Sequence, residues 1–258
     1  MLRVMGRALG SLYGLCALAI FCLMFALAAL LAVIVPRLRW RRTLTHQLAR
    51  VAVVLFGLRL STTGLERLPS GSCVVVANHE SYLDGVLLKA VLPPRFSFVI
   101  KREAASLPVA GFLLRRIGSV FVDRNTRGGR QRDARRVLEH AELGHSLVFF
   151  PEGTFDETAG LKRFHVGAFT AAVRGGMPLV PVVIRGARRA MPPGAYFPRA
   201  GRIELEVLDP LPADGPDVSA DRLRDEARRR MLARLDLPDL AAGPPSPHAD
   251  VDAGRNPA

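Results

Sequence analysis

Lysine is almost missing from this 258-residue chain: of its 36 basic residues only Lys89, Lys101 and Lys162 are lysines. Set against 23 acidic residues, the arginines leave a formal net charge of +13 and a pI near 11.1. That balance fits a nucleic-acid binder or a protein at an anionic membrane surface, and arginine favours bidentate phosphate contacts. Cysteine is scarce as well. Cys16, Cys22 and Cys73 sit in apolar runs without metal-ligand spacing, so they read as small buried hydrophobes in a reducing compartment. The most telling absence is local: no charged residue occurs from Ala8 to Pro36.

That uncharged stretch, GSLYGLCALAIFCLMFALAALLAVIV, exceeds the roughly 20 residues a spanning helix needs. The ALA at 26–28 resembles a signal-peptidase site, but the apolar run continues through LLAVIV, too far for a cleaved signal peptide. An uncleaved N-terminal membrane helix is expected. Arg3 and Arg7 flank it on one side and Arg37, Arg39, Arg41 and Arg42 on the other. The heavier positive side stays cytoplasmic, which places the rest of the chain on the cytoplasmic face of the membrane. The basic cluster also attracts anionic headgroups, and Trp40 within it reads as an interfacial anchor. With the charge explained by the bilayer, and no groove-reading motif present, no nucleic-acid partner is expected.

The next segment, TLTHQLARVAVVLFGL, repeats apolar residues at helical spacing through Leu58 and reads as an interfacial helix. Residues 1–60 therefore form the expected anchor. Beyond Gly64 short apolar strands, at 73–77, 97–100, 119–122, 146–150 and 179–184, alternate with helices near 82–92, 109–117, 130–143 and 164–174. Continuous apolarity suits a sheet covered on both faces, whereas IELEVL at 203–208 alternates as a half-exposed strand does. An arginine-rich helix with a narrow apolar stripe from Ala220 to Leu235 closes the domain, taken as 61–237. The Pro-, Gly-, Ala- and Asp-rich 238–258 reads as a disordered tail. There is no internal repeat. The fold class is α/β, with a mixed, mostly parallel sheet flanked by helices behind a membrane helix.

Three stretches carry chemistry. In NHESYLDG, His79 and Asp84 are five residues apart, about 500° on a regular helix, so they meet only if His79 is in the loop and Asp84 near the helix start. Asn78 and Ser81 are turn and N-cap residues that permit this. The pair is then a base oriented by a carboxylate, half of a metal site, or turn chemistry alone. In FPEGTF, a strand delivers Glu152, Gly153 and Thr154 to its carboxyl end, where open α/β sheets bind ligands. Gly153 can bring backbone N–H groups to an oxyanion; a tight turn with a solvated glutamate is the plainer alternative. GSVFVDR ends another strand at Arg124, and FVIKRE a further one at Lys101, both placed to meet a phosphate or a surface carboxylate. His140 and His145 lie on different helix faces and no cysteine or carboxylate cluster completes a metal set with them. No role attaches to His165.

Taken in order, NHxxxxD, the lysine after FVI, GxxFVDR, FPEGT and VPVVI resemble the glycerolipid acyltransferase family typified by 1-acylglycerol-3-phosphate acyltransferases. The likeness runs from about Gly71 to Arg185, and NHxxxxD with FPEGT at this separation is specific to the family. It implies a glycerol-phosphate acyltransferase-like fold, an acyl-CoA or acyl-carrier-protein donor, and a lysophospholipid acceptor. His79 would deprotonate the acceptor hydroxyl and Asp84 would support the imidazolium. Lys101, Arg124, Glu152, Gly153 and Thr154 would bind substrate, with no metal, cofactor or prosthetic group required. One position departs from the pattern. Members acting on glycerol phosphates carry arginine directly after FPEGT, and here it is Phe155, with Lys162, Arg163 or Arg124 as compensating cations. Lysophosphatidate is the first acceptor by resemblance; another lysolipid, such as a lyso-ornithine lipid, is the alternative, and a non-catalytic lipid-binding protein a further one.

Overall fold

The uncharged run forms one helix, α1 (Leu2–Ile34), and a break at Val35, Pro36 and Arg37 separates it from α2 (Leu38–Leu55). Pro36 ends the first helix because it has no amide to donate back into it. The computed structural model describes residues 2–122, 127–143, 145–195, 197–215 and 217–241. Within α1, Tyr13–Ile34 is long and apolar enough to cross a membrane, with a mean hydropathy of 2.9. The two helices form a hairpin, since the Tyr13 hydroxyl donates to the Phe56 carbonyl just past the end of α2 (3.0 Å). Small residues on one face of α1, Ala17, Ala28 and Ala32, are buried against the rest of the chain, while Leu15, Phe21, Leu23, Leu30 and Val33 are exposed. Cys16 and Cys22 lie on exposed positions of α1, and only Cys73 is buried. The expectation of three buried thiols fails because an apolar run need not be a core run.

Gly57, at φ 67°, turns the chain out of α2 and into β1 (Leu58–Thr63). This strand was not expected: Leu58 fits the helical spacing of α2, and β1 straddles the boundary placed at residue 60. Its partner is β7 at the far end of the domain, so the pairing is invisible locally. After a 3-10 turn at Leu65–Arg67, the remaining elements are β2 (Val74–Ala77), α3 (Leu83–Val91), β3 (Ser97–Lys101), α4 (Glu103–Ser106), α5 (Pro108–Arg116), β4 (Val120–Val122), α6 (Arg127–Glu142), β5 (Leu147–Phe149), α7 (Gly167–Arg174), β6 (Leu179–Arg185), α8 (Ala187–Ala190), β7 (Gly201–Val207) and α9 (Ala220–Leu232).

The seven strands form one sheet in the order β1-β7-β6-β2-β5-β3-β4. Every neighbouring pair is parallel except β6 with β7, so the mixed, mostly parallel sheet is as expected. All four residues of β2 are buried, and they alternate between two cores. Val75 and Ala77 pack with residues of α1, α2 and α3, while Val74 and Val76 pack with α7 and α9. Each of the three valines contributes about 1.5–3 kcal/mol by leaving water. The β2–β5 register, Val74 opposite Leu147 and Val76 opposite Phe149, sets the loops that follow these two strands side by side.

The segment expected to be a tail from Pro238 begins bound to the domain. Leu161 N–H donates to the Pro238 carbonyl (3.0 Å), Leu240 N–H donates to the Leu161 carbonyl (3.1 Å), and Arg228 pairs with Asp239. Residues 242–258 lie outside the described residues.

Candidate active site

Asn78 releases the chain from β2. Its side-chain amide donates to the Ile184 carbonyl (2.9 Å) and accepts from the Ile184 N–H (2.7 Å), so the side chain continues the ladder to β6 while the main chain turns away. His79, Glu80 and Ser81 form the loop, and α3 starts at Leu83 with the Ser81 hydroxyl accepting from the Leu83 N–H. Asp84 is thereby in the first turn of α3, buried. Its Oδ2 receives the His79 Nδ1 at 2.8 Å together with the backbone N–H groups of Glu80 (2.7 Å) and Ser81 (2.9 Å). A carboxylate only accepts, so Nδ1 carries the proton and Nε2 keeps its lone pair. The structure thus brings His79 and Asp84 together as loop and helix-start partners.

Aromatic rings frame the imidazole. Phe150 stacks on it with centroids 4.2 Å apart, and Phe155 meets it edge-on at 4.6 Å. Tyr82 packs in turn on the Phe155 ring at 4.8 Å. The His79 side chain keeps 19% exposure, enough to be reached from one direction while its flanks are dry.

Glu152 ties the two motif loops into one body. Its Oε1 accepts from the His79 N–H (2.7 Å) and its Oε2 from the Lys162 N–H (2.9 Å). Burial pushes its carboxyl up to about 7, against the pull of those two amides; loss of hydration disfavours the charged form more than two hydrogen bonds favour it. Gly153 stands at φ 80°, a conformation that favours glycine, and its N–H donates to the Phe150 carbonyl (3.0 Å). That amide is therefore spent inside the turn. Thr154 is exposed, its hydroxyl reaching, among the described residues, the Phe155 carbonyl. Lys101, exposed at the carboxyl end of β3, shares the sheet edge with these loops but makes no hydrogen bond or ion pair with them among the described residues. Arg124 lies outside the described residues. Of the cations named to offset Phe155, Lys162 pairs with Asp156 and Arg163 is exposed.

Beside the pair opens an apolar cavity of about 320 Å³. Phe21 and Met24 of α1, Ala49 of α2 and Leu114 of α5 lie on its wall, and Tyr82 and Phe150 bring it to the aromatic frame around His79. Lys89 reaches this wall too, and burial, then the nearby Arg42, brings its amine down to about 8. The sequence carried no signal of this cavity, because its walls come from segments far apart in the chain. Nor did it mark Glu80 and Arg188, whose charged groups lie 3.7 Å apart at the His79 loop: RGARRA reads as a solvated basic run.

The acyltransferase family profile matches residues 59–185. The chloroplastic 1-acyl-sn-glycerol-3-phosphate acyltransferase of Brassica napus is 31% identical over 205 residues, 77% of this chain; the chain spans 58% of that protein's length. The 1-acyl-sn-glycerol-3-phosphate acyltransferase alpha of Bos taurus is 32% identical over 219 residues, covering 79% of this chain and 74% of the bovine one. Among solved structures, that of the 1-acyl-sn-glycerophosphate acyltransferase PlsC from Thermotoga maritima superposes with a TM-score of 0.70 at 22% identity, covering 86% of this chain and 95% of that one.

Proposed function

Since the chain belongs to the acyltransferase family, we propose that it moves a fatty acyl group from a thioester donor, acyl-CoA or acyl carrier protein, to the free hydroxyl of a lysophospholipid. The first acceptor is 1-acylglycerol-3-phosphate, which would become phosphatidate; another lysolipid, such as a lyso-ornithine lipid, is the alternative that Phe155 keeps open. The observation that carries the reading is the single buried oxygen of Asp84 holding the His79 imidazole at 2.8 Å while two loop amides hold that oxygen. A base oriented this firmly has one tautomer and one free nitrogen.

In the reaction, Nε2 takes the proton of the acceptor hydroxyl as the oxygen attacks the thioester carbonyl. The Asp84 carboxylate stabilises the imidazolium that forms. When the tetrahedral intermediate collapses, the carbon–sulfur bond breaks and the imidazolium returns its proton to the departing thiolate. The new bond is an oxygen ester, and no metal or prosthetic group enters the balance. Phe150 and Phe155 on the imidazole keep water from competing with the acceptor. The apolar cavity that ends at Phe150 is sized for an acyl chain. The exposed apolar face of α1 carries this side of the domain to the bilayer, and the arginines after Val35 support a cytoplasmic orientation of the domain.

The test is acyl transfer by the purified full-length chain in detergent or nanodiscs, with labelled acyl-CoA or acyl carrier protein and a panel of lysolipids. Lysophosphatidate is expected to be consumed, and His79→Ala to lower the rate about 10³-fold with unchanged circular dichroism. A folded His79→Ala protein at the wild-type rate removes His79 as the base. Lipid binding without thioester consumption across the panel turns the reading to a binding protein.

A further inference from the structure

Arg188 belongs to no motif, yet its guanidinium joins the two loops of the site from behind. Nη1 donates to the Glu157 carbonyl (3.1 Å), and Nη2 to those of Asp156 (2.9 Å) and Thr158 (3.2 Å). Nε faces Oε1 of Glu80, which is 7% exposed. Each of these two atoms is buried without a hydrogen-bond partner among the described residues, so each charge has the other as its main compensation. Arg188 reaches this position because Gly186 leaves β6 at φ 88°, where an added Cβ would lie 2.3 Å from the Arg202 carbonyl. Nearby Arg185 is spent on Glu204 and Glu206, whereas Arg188 turns towards the loops.

The contacts close a ring. His79 bonds to Asp84, whose Oδ2 holds the Glu80 amide; Glu80 faces Arg188; Arg188 holds the Asp156 carbonyl; the Asp156 carboxylate pairs with Lys162; the Lys162 amide bonds to Glu152; and Glu152 takes the His79 amide. Phe155 is the residue just before the clamped carbonyls and the one whose ring stands edge-on to His79. The segment 154–159 is otherwise exposed apart from the half-buried Phe155, so the guanidinium is a principal restraint on where that ring sits.

We propose that Arg188 is a positioning residue for acceptor selection: by holding 156–158 it sets Phe155 against His79, and so fixes the opening through which an acceptor hydroxyl reaches the imidazole. The role rests on the acyl-transfer reading. Arg188→Ala in the full-length chain should lower kcat/KM for lysophosphatidate about 10- to 100-fold, the scale of a small misplacement. The donor KM should stay unchanged, and the kcat/KM ratio between lysophosphatidate and lysophosphatidylcholine should move towards one. Phe155→Ala should reproduce the altered ratio, and Arg188→Ala with Phe155→Ala should change it no further, since the first acts through the second. Arg188→Lys, which keeps the charge without the fork, should recover part of the loss, and it serves if the alanine variant does not fold. In hydrogen exchange, amides 153–160 should exchange faster in Arg188→Ala. An unchanged acceptor ratio in a folded variant, whatever the exchange, overturns the proposal, as does additivity with Phe155→Ala. Those results presuppose an active wild-type chain; a wild-type chain inactive towards every acceptor sinks the acyl-transfer reading and the selection role with it.

Discussion

The two sides of the His79 loop are built by opposite means. On the sheet edge, polar side chains meet main-chain groups through hydrogen bonds of 2.7–2.9 Å, with Asp84, Glu152 and Asn78 each satisfying backbone amides. On the side towards α1, segments from Phe21 to Phe150 line an open cavity whose surface is almost wholly carbon. The polar side trades on direction and has little slack, since a buried group that loses its partner keeps its desolvation cost. The apolar side trades on volume, which tolerates substitution more gradually. In the proposed reaction, proton transfer falls to the part of the molecule that cannot shift, and chain accommodation to the part that can.

Breaking the polar side should cost most. Asp84→Asn keeps the shape but offers an amide where three donors converge, and it removes the support for the imidazolium; kcat should fall by up to about 10³-fold, no more than the loss of His79 itself, in the transfer assay. Asn78→Ala leaves the buried N–H and carbonyl of Ile184 without their partner and should lower unfolding stability by about 2–4 kcal/mol, read by denaturant titration in detergent. Glu152 makes a pH-dependent contribution. Its carboxyl rises from an ordinary 4.5 to about 7 on burial, so the folded protein binds that proton more tightly than the unfolded chain. The resulting stability is present below about pH 4.5 and lost as pH rises through about 7, a span worth up to about 3 kcal/mol. Glu152→Gln, neutral throughout, should remove that slope from a plot of thermal midpoint against pH. The smallest effect belongs to the apolar side. A Cβ at Gly85 on the cavity wall meets nothing within 4 Å, so Gly85→Leu should fold and lower the kcat/KM ratio of long to short acyl donors about tenfold. A change in transfer rate equal for all chain lengths would detach the cavity from the acyl chain.

Much of the polar side was legible. The five-residue separation of His79 and Asp84 required a loop followed by a helix start, and Asn78 and Ser81 supplied the turn, which is the observed arrangement. Glu152 and Gly153 were legible as a strand end, but the use of both Glu152 oxygens on main-chain amides was not, because their donors are 73 and 10 residues away. β1 was missed for a similar reason. Leu58 fits either period, and only the pairing with residues 201–206 decides for the strand.

What the sequence determined by itself is everything set by neighbours along the chain. This covers the long uncharged helix ended at Pro36, the short apolar strands, the turn that lets a histidine fold back on an aspartate, and the phenylalanine where an arginine is usual. Only the tertiary structure decided that Phe155 stands against His79, that Arg188 holds the loop beyond it, and that α1 closes a cavity over α3. Those contacts join residues 30 to 130 positions apart, and no local propensity or period encodes which distant surface a side chain will meet. Packing makes that choice for the whole chain at once.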